Sequence, residues 1–408
     1  MRMQQKHAPE PSQSAQPKQP NAMKILLVNK FYYPRGGDCI VTLNVERMLR
    51  EHGHEVAVYA MQYPSNLPSE WSGYWPREMK AKDAMLRPMG ARKVRNSFTR
   101  LLRDFKPDVV HLHNIHSQLS PVVAEIAHKH GIRVVWTLHD TKLVCPCYTC
   151  RRNGRECTEC FTDKKAVMRH CCMPGWLPGA MIGWLEAKKW NAWRLQACTD
   201  VFLPPSQFLK DLCVSGGYDA DKFTVLPNFV DAAKVAYPST DKDDYYIYVG
   251  RVTAVKGVRT LCEAASQLSH RLIVVGGGDL LDELKTEYDS YGNIEFRGQM
   301  AWDEFRPLLE HARFSVTPSE WSENNPLSVL ESLCLGTPVL GAHIGGIPEL
   351  IEPGVNGFTF TPGDTDQLRH SIAHMFATTF NPHKIASDAT ARYSSDAYYQ
   401  ALMRIYQS

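Results

Sequence analysis

"DDYYIYVGRVTAVKGV", residues 243–258, decides the fold. It reads as a buried strand that runs straight into a glycine-bracketed loop. "KILLVNKFYYPRGGD", residues 24–38, does the same near the start of the chain. A strand–glycine loop opening that occurs once in each half points to two units of one architecture. "EVAVYA", "DVVHLHN", "IRVVWTLHD" and "DVFLPPS" supply further strands to the first unit. "HRLIVVGGGD", "IEFRG", "FSVTPS" and "TPVLGAHIGG" supply them to the second. Short β-branched runs alternating with helical patterns imply βα units and parallel sheets. The expected fold class is α/β: two doubly wound, Rossmann-like domains, with ligands in the crevice beyond the strands' carboxyl ends.

The chain has 408 residues, enough for two domains. The expected division is a disordered tail over 1–22, a first domain over 23–205, a second over 206–385 and a C-terminal helix over 386–408 that crosses back to the first domain. The join is expected near 204–230. The tail is Gln/Pro/Ser-rich, without the apolar region of a signal peptide. No apolar run reaches the ~18 residues of a membrane span. A net charge of +3 is too mild to argue for nucleic acid, which is not expected as a partner. These features imply a cytoplasmic protein.

Seven of the twelve cysteines crowd into 145–172. Two C-x2-C pairs in a reducing compartment suit a structural zinc, with free thiols or a redox pair as the alternatives.

"SEWSENNPLSVLES", residues 319–332, carries two glutamates eight apart. Asn325 is expected to cap a helix with Pro326 at its first position, leaving free N–H groups as an anion site. Glu323 lies just ahead of that helix start, where a carboxylate could simply stabilise the dipole. Glu331 falls on the second turn. Leu327, Leu330, Leu333, Cys334 and Leu335 cover most of the circumference, and Ser328 and Ser332 mark its only polar strip. A half-buried carboxylate needs donors, and ligand hydroxyls provide them.

The Glu-x7-Glu pattern followed by "LGTPVLGAHIGGIPELI" resembles the retaining family 4 glycosyltransferases of the GT-B fold. The resemblance runs from Met23 to the end. It implies that Glu323 touches a donor sugar and that Glu331 holds a nucleotide's ribose hydroxyls. It implies backbone contacts from Asn325, Pro326 and Leu327, although many members read Glu-Pro-Phe-Gly where this chain reads Glu-Asn-Asn-Pro. Arg251 and Lys256 would grip the donor diphosphate, one as a fork and one as a point charge. Gly250 and Gly257 allow close backbone approach. Gly277, in "GGGDLLDEL", would meet the base, and Gly36 and Gly37 would approach the diphosphate and acceptor. For these glycines a tight turn is the plain alternative. His113 matches a histidine near the reacting sugar, while His139 and Asp140 reach the same rim.

The cysteine-rich insertion at 145–172 resembles that of a subset of these enzymes, which points to Cys145, Cys157, Cys160 and Cys172 as zinc ligands. The implied activity is sugar transfer from a nucleotide-diphosphate sugar to a glycan or polyprenyl-linked saccharide in cell-surface polysaccharide synthesis, without a catalytic metal or other cofactor. The rivals are a sugar-nucleotide epimerase of the same fold and a non-catalytic sugar-nucleotide-binding subunit. Trp176, Trp184, Trp190 and Trp193 stand among Lys188, Lys189 and Arg194. Residues 77–106 hold ten Lys/Arg against three Asp/Glu. Both features suit peripheral contact with the inner face of the plasma membrane, and both also suit a core helix and a solvated basic face.

Overall fold

A computed structural model describes residues 22–78, 88–116, 118–235 and 237–408. The tail expected over 1–22 lies almost wholly outside these residues, as does part of the basic stretch 77–106.

The first unit holds β1 (Lys24–Val28), β2 (Glu55–Tyr59), β3 (Val109–Leu112) and β4 (Arg133–Thr137). A small hairpin follows, β5 (Arg151–Arg152) with β6 (Arg155–Glu156), and then β7 (Val201–Leu203). The main sheet runs β2-β1-β3-β4-β7, all parallel. The second unit holds β8 (Tyr245–Val249), β9 (Arg271–Val275), β10 (Ile294–Gly298), β11 (Ser315–Thr317), β12 (Val339–Ala342) and β13 (Gly357–Phe360). Its order is β10-β9-β8-β11-β12-β13, again parallel. Strands covered on both faces read as unbroken apolar runs. Ile25, Leu26, Leu27 and Val28 are fully buried for that reason.

Strand order reverses between β1 and β3 and between β8 and β11. Those are the switch points where such sheets open a crevice. The Gly36–Gly37 loop and His113 follow β1 and β3, while Lys256 and Glu323 follow β8 and β11.

The chain leaves the first unit later than residue 205. Leu209, Cys213, Tyr218 and Phe223 belong to the first unit's core. The Thr224 N–H still donates to the Phe202 carbonyl at 3.0 Å. The helix Pro382–Tyr393 packs with the helix Leu327–Cys334 in the second unit's core. The last helix, Ser395–Gln407, lays Tyr398, Leu402 and Tyr406 against Ile25, Leu27, Val41 and Val45 of the first unit. Its Tyr406 hydroxyl bonds His111 Nδ1 at 2.6 Å.

Candidate functional site

The loop from Ser319 to Pro326 leads out of β11. It is clamped from two sides. Gly257 has φ +67°, and a Cβ there would stand 1.9 Å from the Pro318 carbonyl. On the other side a Cβ on Gly346 would stand 1.9 Å from the Asn324 carbonyl, and the Gly346 N–H donates to the Glu323 carbonyl at 2.7 Å. Only glycine fits either place. The double glycine of "GGIPEL" is therefore a backbone seat for Glu323 and Asn324.

This seat brings Lys256 and Glu323 together as an ion pair, both side chains mostly buried. The buried Ser319 hydroxyl donates to Glu323 Oε1 at 3.1 Å. Arg251 is exposed on the same loop as Lys256, and its carbonyl accepts from the Tyr248 hydroxyl at 2.7 Å. The Gly250 N–H donates to the Val275 carbonyl at 3.0 Å, and the Gly277 carbonyl accepts from the Val252 N–H at 2.9 Å, so the loops after β8 and β9 are laced together. Gly36 caps the helix Gly37–Glu51 in extended conformation, and a Cβ on Gly37 would meet nothing.

The helix start differs from the expectation. Pro326 is the N-cap, extended at ψ 124°, and the helix is Leu327–Cys334. Asn325 does not cap it. Its Oδ1 accepts from the Asn228 N–H and its carbonyl from the Asn228 amide, both at 2.9 Å. That tie to the segment joining the two units consumes the oxygen a cap would have used. The polar strip also differs: Ser332 is fully buried, sharing a 2.7 Å hydroxyl bond with Ser315 and donating to the Thr337 carbonyl at 2.9 Å. Glu331 pairs with Lys234, a residue absent from the sequence reading. Burial pushes the Glu331 carboxyl up, and Lys234 opposes that. The Lys234 ammonium also lies 4.3 Å from the Trp302 ring centre.

Across the cleft, His113 is buried at the end of β3. Its carbonyl accepts from the Trp136 indole at 2.9 Å, and its Nδ1 lies 3.1 Å from His139 Nε2. Burial first, then the neighbouring imidazoles, hold its pKa well below the usual value. His113 is therefore neutral near pH 7. Its Nε2 is buried without a protein partner, and so is Asn324 Oδ1. The Asn324 amide N–H reaches across to the His139 carbonyl at 2.8 Å. His113, His139 and Asp140 line one small recess.

Two further ties join the units. Glu349 accepts from the Gln207 and Phe208 N–H groups at 2.7 and 2.6 Å, capping the helix Gln207–Ser215. Arg151, on β5 in the cysteine-rich segment, donates to the Glu320 carbonyl. Asn324, Glu349 and Arg151 escaped the sequence reading because each acts on distant backbone. "GGIPEL" was the available signal for Glu349.

Cys172 packs against two apolar clusters. Cys145, Cys147 and Cys150 face the large core, and Cys160 packs with Ala166 and Val167. Cys145 Sγ lies 3.3 Å from Cys147 Sγ. Among the described residues no three His, Cys, Asp or Glu side chains converge as a metal-binding group.

Residues 35–234 match the model of "Glycosyltransferase Family 4", and residues 230–392 that of "Glycosyl transferases group 1". A 42.6 kDa protein of the cps region of Klebsiella pneumoniae is 26% identical over 352 residues, 80% of this chain and 87% of that protein. An Escherichia coli UDP-Gal:alpha-D-GlcNAc-diphosphoundecaprenol alpha-1,3-galactosyltransferase is 28% identical over 189 residues, 41% of this chain and 48% of that one. In fold, the chain resembles Anabaena HepE in complex with UDP at a TM-score of 0.66 and 17% identity, covering 94% and 99% of the two chains. The lipopolysaccharide outer core galactosyltransferase WaaB gives 0.65 and 17%, over 93% and 98%. These neighbours establish the GT-B fold, and with a family model matching each half, the chain belongs to the family 4 glycosyltransferases.

Proposed function

We propose that this glycosyltransferase is a retaining enzyme that moves a sugar from a nucleotide-diphosphate sugar to a glycan or lipid-linked saccharide of cell-surface polysaccharide synthesis. One observation carries the reading. Lys256, Glu323, Asn324, His139 and His113 form a continuous chain across the cleft between the two switch points. A donor diphosphate draws Lys256 and Arg251 onto its oxygens. That frees the Glu323 carboxylate for the sugar. Asn324 Oδ1 and His113 Nε2, both lacking a protein partner, are then satisfied by sugar hydroxyls, which removes the cost of burying them bare.

The bond from the anomeric carbon to phosphate oxygen breaks while the acceptor oxygen bonds that carbon from the same face. The acceptor's proton passes to the departing phosphate, so no protein base is required. Lys256, Arg251 and the N–H groups at the helix start Leu327–Cys334 hold the charge that develops on the diphosphate.

Two substitutions separate the parts. Glu331→Ala is expected to weaken nucleoside-diphosphate binding by about 10–100-fold, the loss of charged hydrogen bonds to ribose. Unchanged affinity in calorimetry removes Glu331 from the ribose. Asn324→Ala is expected to leave nucleoside-diphosphate affinity alone and to weaken intact sugar nucleotide by about tenfold. If it weakens both alike, Asn324 is only a tie between the units. Thermal shift against a panel of sugar nucleotides identifies the donor, because a specific ligand stabilises by mass action. Conversion of the donor with no acceptor present would favour the epimerase reading instead.

A further inference from the structure

The helix Trp176–Lys189 is apolar around most of its circumference. A helix of that kind is normally covered on all sides. Here one side is covered: Ala180, Gly183 and Glu186 are buried against the first unit. The other is open. Trp176 is 79% exposed, Leu177 57% and Met181 40%. Leu177, Met181 and Lys188 share one side by helical spacing, with Trp184 beside them. Trp193, 79% exposed, stands just past the helix end. Trp190 does not join them, since it is buried with its indole donating to the Pro88 carbonyl at 2.6 Å.

The same end is cationic. Lys189 and Arg95 both donate to the carbonyl of exposed Met89, at 3.1 and 2.8 Å. Lys188 lies 5.3 Å from the Trp184 ring centre, and Arg92 and Lys93 are exposed on the adjoining helix Arg92–Phe105. The carboxylates nearby are already engaged, Glu125 with Lys129 and Arg194, and Glu186 with Lys142. Two cations sharing one carbonyl repel each other, and an anionic surface relieves that repulsion. Fourteen residues are too few to span a bilayer, and among the described residues no helix is long and apolar enough to cross one. Exposed tryptophans beside lysine and arginine are instead the composition of an element lying in the plane of the headgroups.

We infer that the open face of the helix Trp176–Lys189, with Met89, Trp193 and the cations at its C-terminal end, docks in-plane on an anionic lipid surface. The inference rests on this surface alone and stands whether or not the donor reading holds. Lying flat, the helix places Trp176 and Leu177 at one end and the lysines at the other, roughly 20 Å apart.

Full-length protein is sedimented with vesicles of phosphatidylglycerol and with vesicles of phosphatidylcholine. Wild type is expected to bind the anionic vesicles, with a blue shift of tryptophan fluorescence, and to release as salt rises. Combined Trp176→Ala, Leu177→Ser and Met181→Ser is expected to reduce binding about tenfold or more, at unchanged melting temperature because the positions are exposed. Lys188→Glu with Lys189→Glu is expected to remove the preference for the anionic vesicles. Failure of wild type to bind them at low salt overturns the inference, as does undiminished binding by the triple variant. A wild-type dimer that the triple variant converts to monomer, with vesicle binding unaffected, also overturns it, since the face would then belong to a second copy.

Discussion

Glu323→Gln is expected to lower sugar transfer by about three orders of magnitude or more, while nucleoside-diphosphate affinity stays within about threefold. The amide is isosteric, so the seat made by Gly257, Gly345 and Gly346 is undisturbed, and the Ser319 hydroxyl keeps an oxygen to donate to. What is lost is the negative charge. In the resting protein that charge neutralises Lys256. In the proposed reaction it faces positive charge developing on the sugar, in a cleft where water screens poorly. Lys256 remains free for phosphate, so binding persists. Single-turnover transfer and calorimetry on the same preparation check both halves. Transfer within tenfold of wild type would remove Glu323 from the chemistry.

A steep loss of stability in mild acid is also expected. Burial pushes four histidines of the first unit down: His111 and His116 to about 3, His139 below its usual value and His113 well below it. The folded protein keeps them neutral, while the unfolded chain takes up protons below about 6.5. Their contribution is therefore complete above about pH 6.5 and is lost as pH falls from there toward about 3. Each adds a slope of up to ~1.4 kcal/mol per pH unit. Asp140 and Glu331, whose carboxyls burial pushes up, protonate over part of that range and offset some of the loss. Guanidinium unfolding at pH 7.5 and 5 measures the difference. A midpoint that does not move between them would mean that the histidines are not held neutral.

The strands were legible because buried parallel strands leave no polar alternation to misread. Lys256 and Glu323 could be chosen by residue type and neighbouring glycines. Their pairing could not, because the contact joins residues 67 apart. Asn325 shows the limit most clearly. Local rules make Asn-Pro a helix start, but Asn228, between the two units, takes the capping oxygen, and the helix begins one residue later than a capped Asn-Pro would give. Ser332 failed for the same reason, its hydroxyl being bound inside by Ser315. Of the four tryptophans, spacing could not tell Trp190, which anchors the helix, from Trp176 and Trp193, which face outward.

The final helix sets a schedule for the newborn chain. Ile25, Leu27 and Val45 lie under Tyr398, Leu402 and Tyr406, so an early part of the polypeptide receives its cover from a part made much later. His111 meets its phenolic partner only across 295 positions of sequence. At roughly 5–20 residues per second, a ribosome that has delivered the last strand of the first sheet needs on the order of 10–40 seconds more to deliver the helix Ser395–Gln407. For that interval part of one flank of the sheet lacks its cover, and a truncated message leaves it so for good.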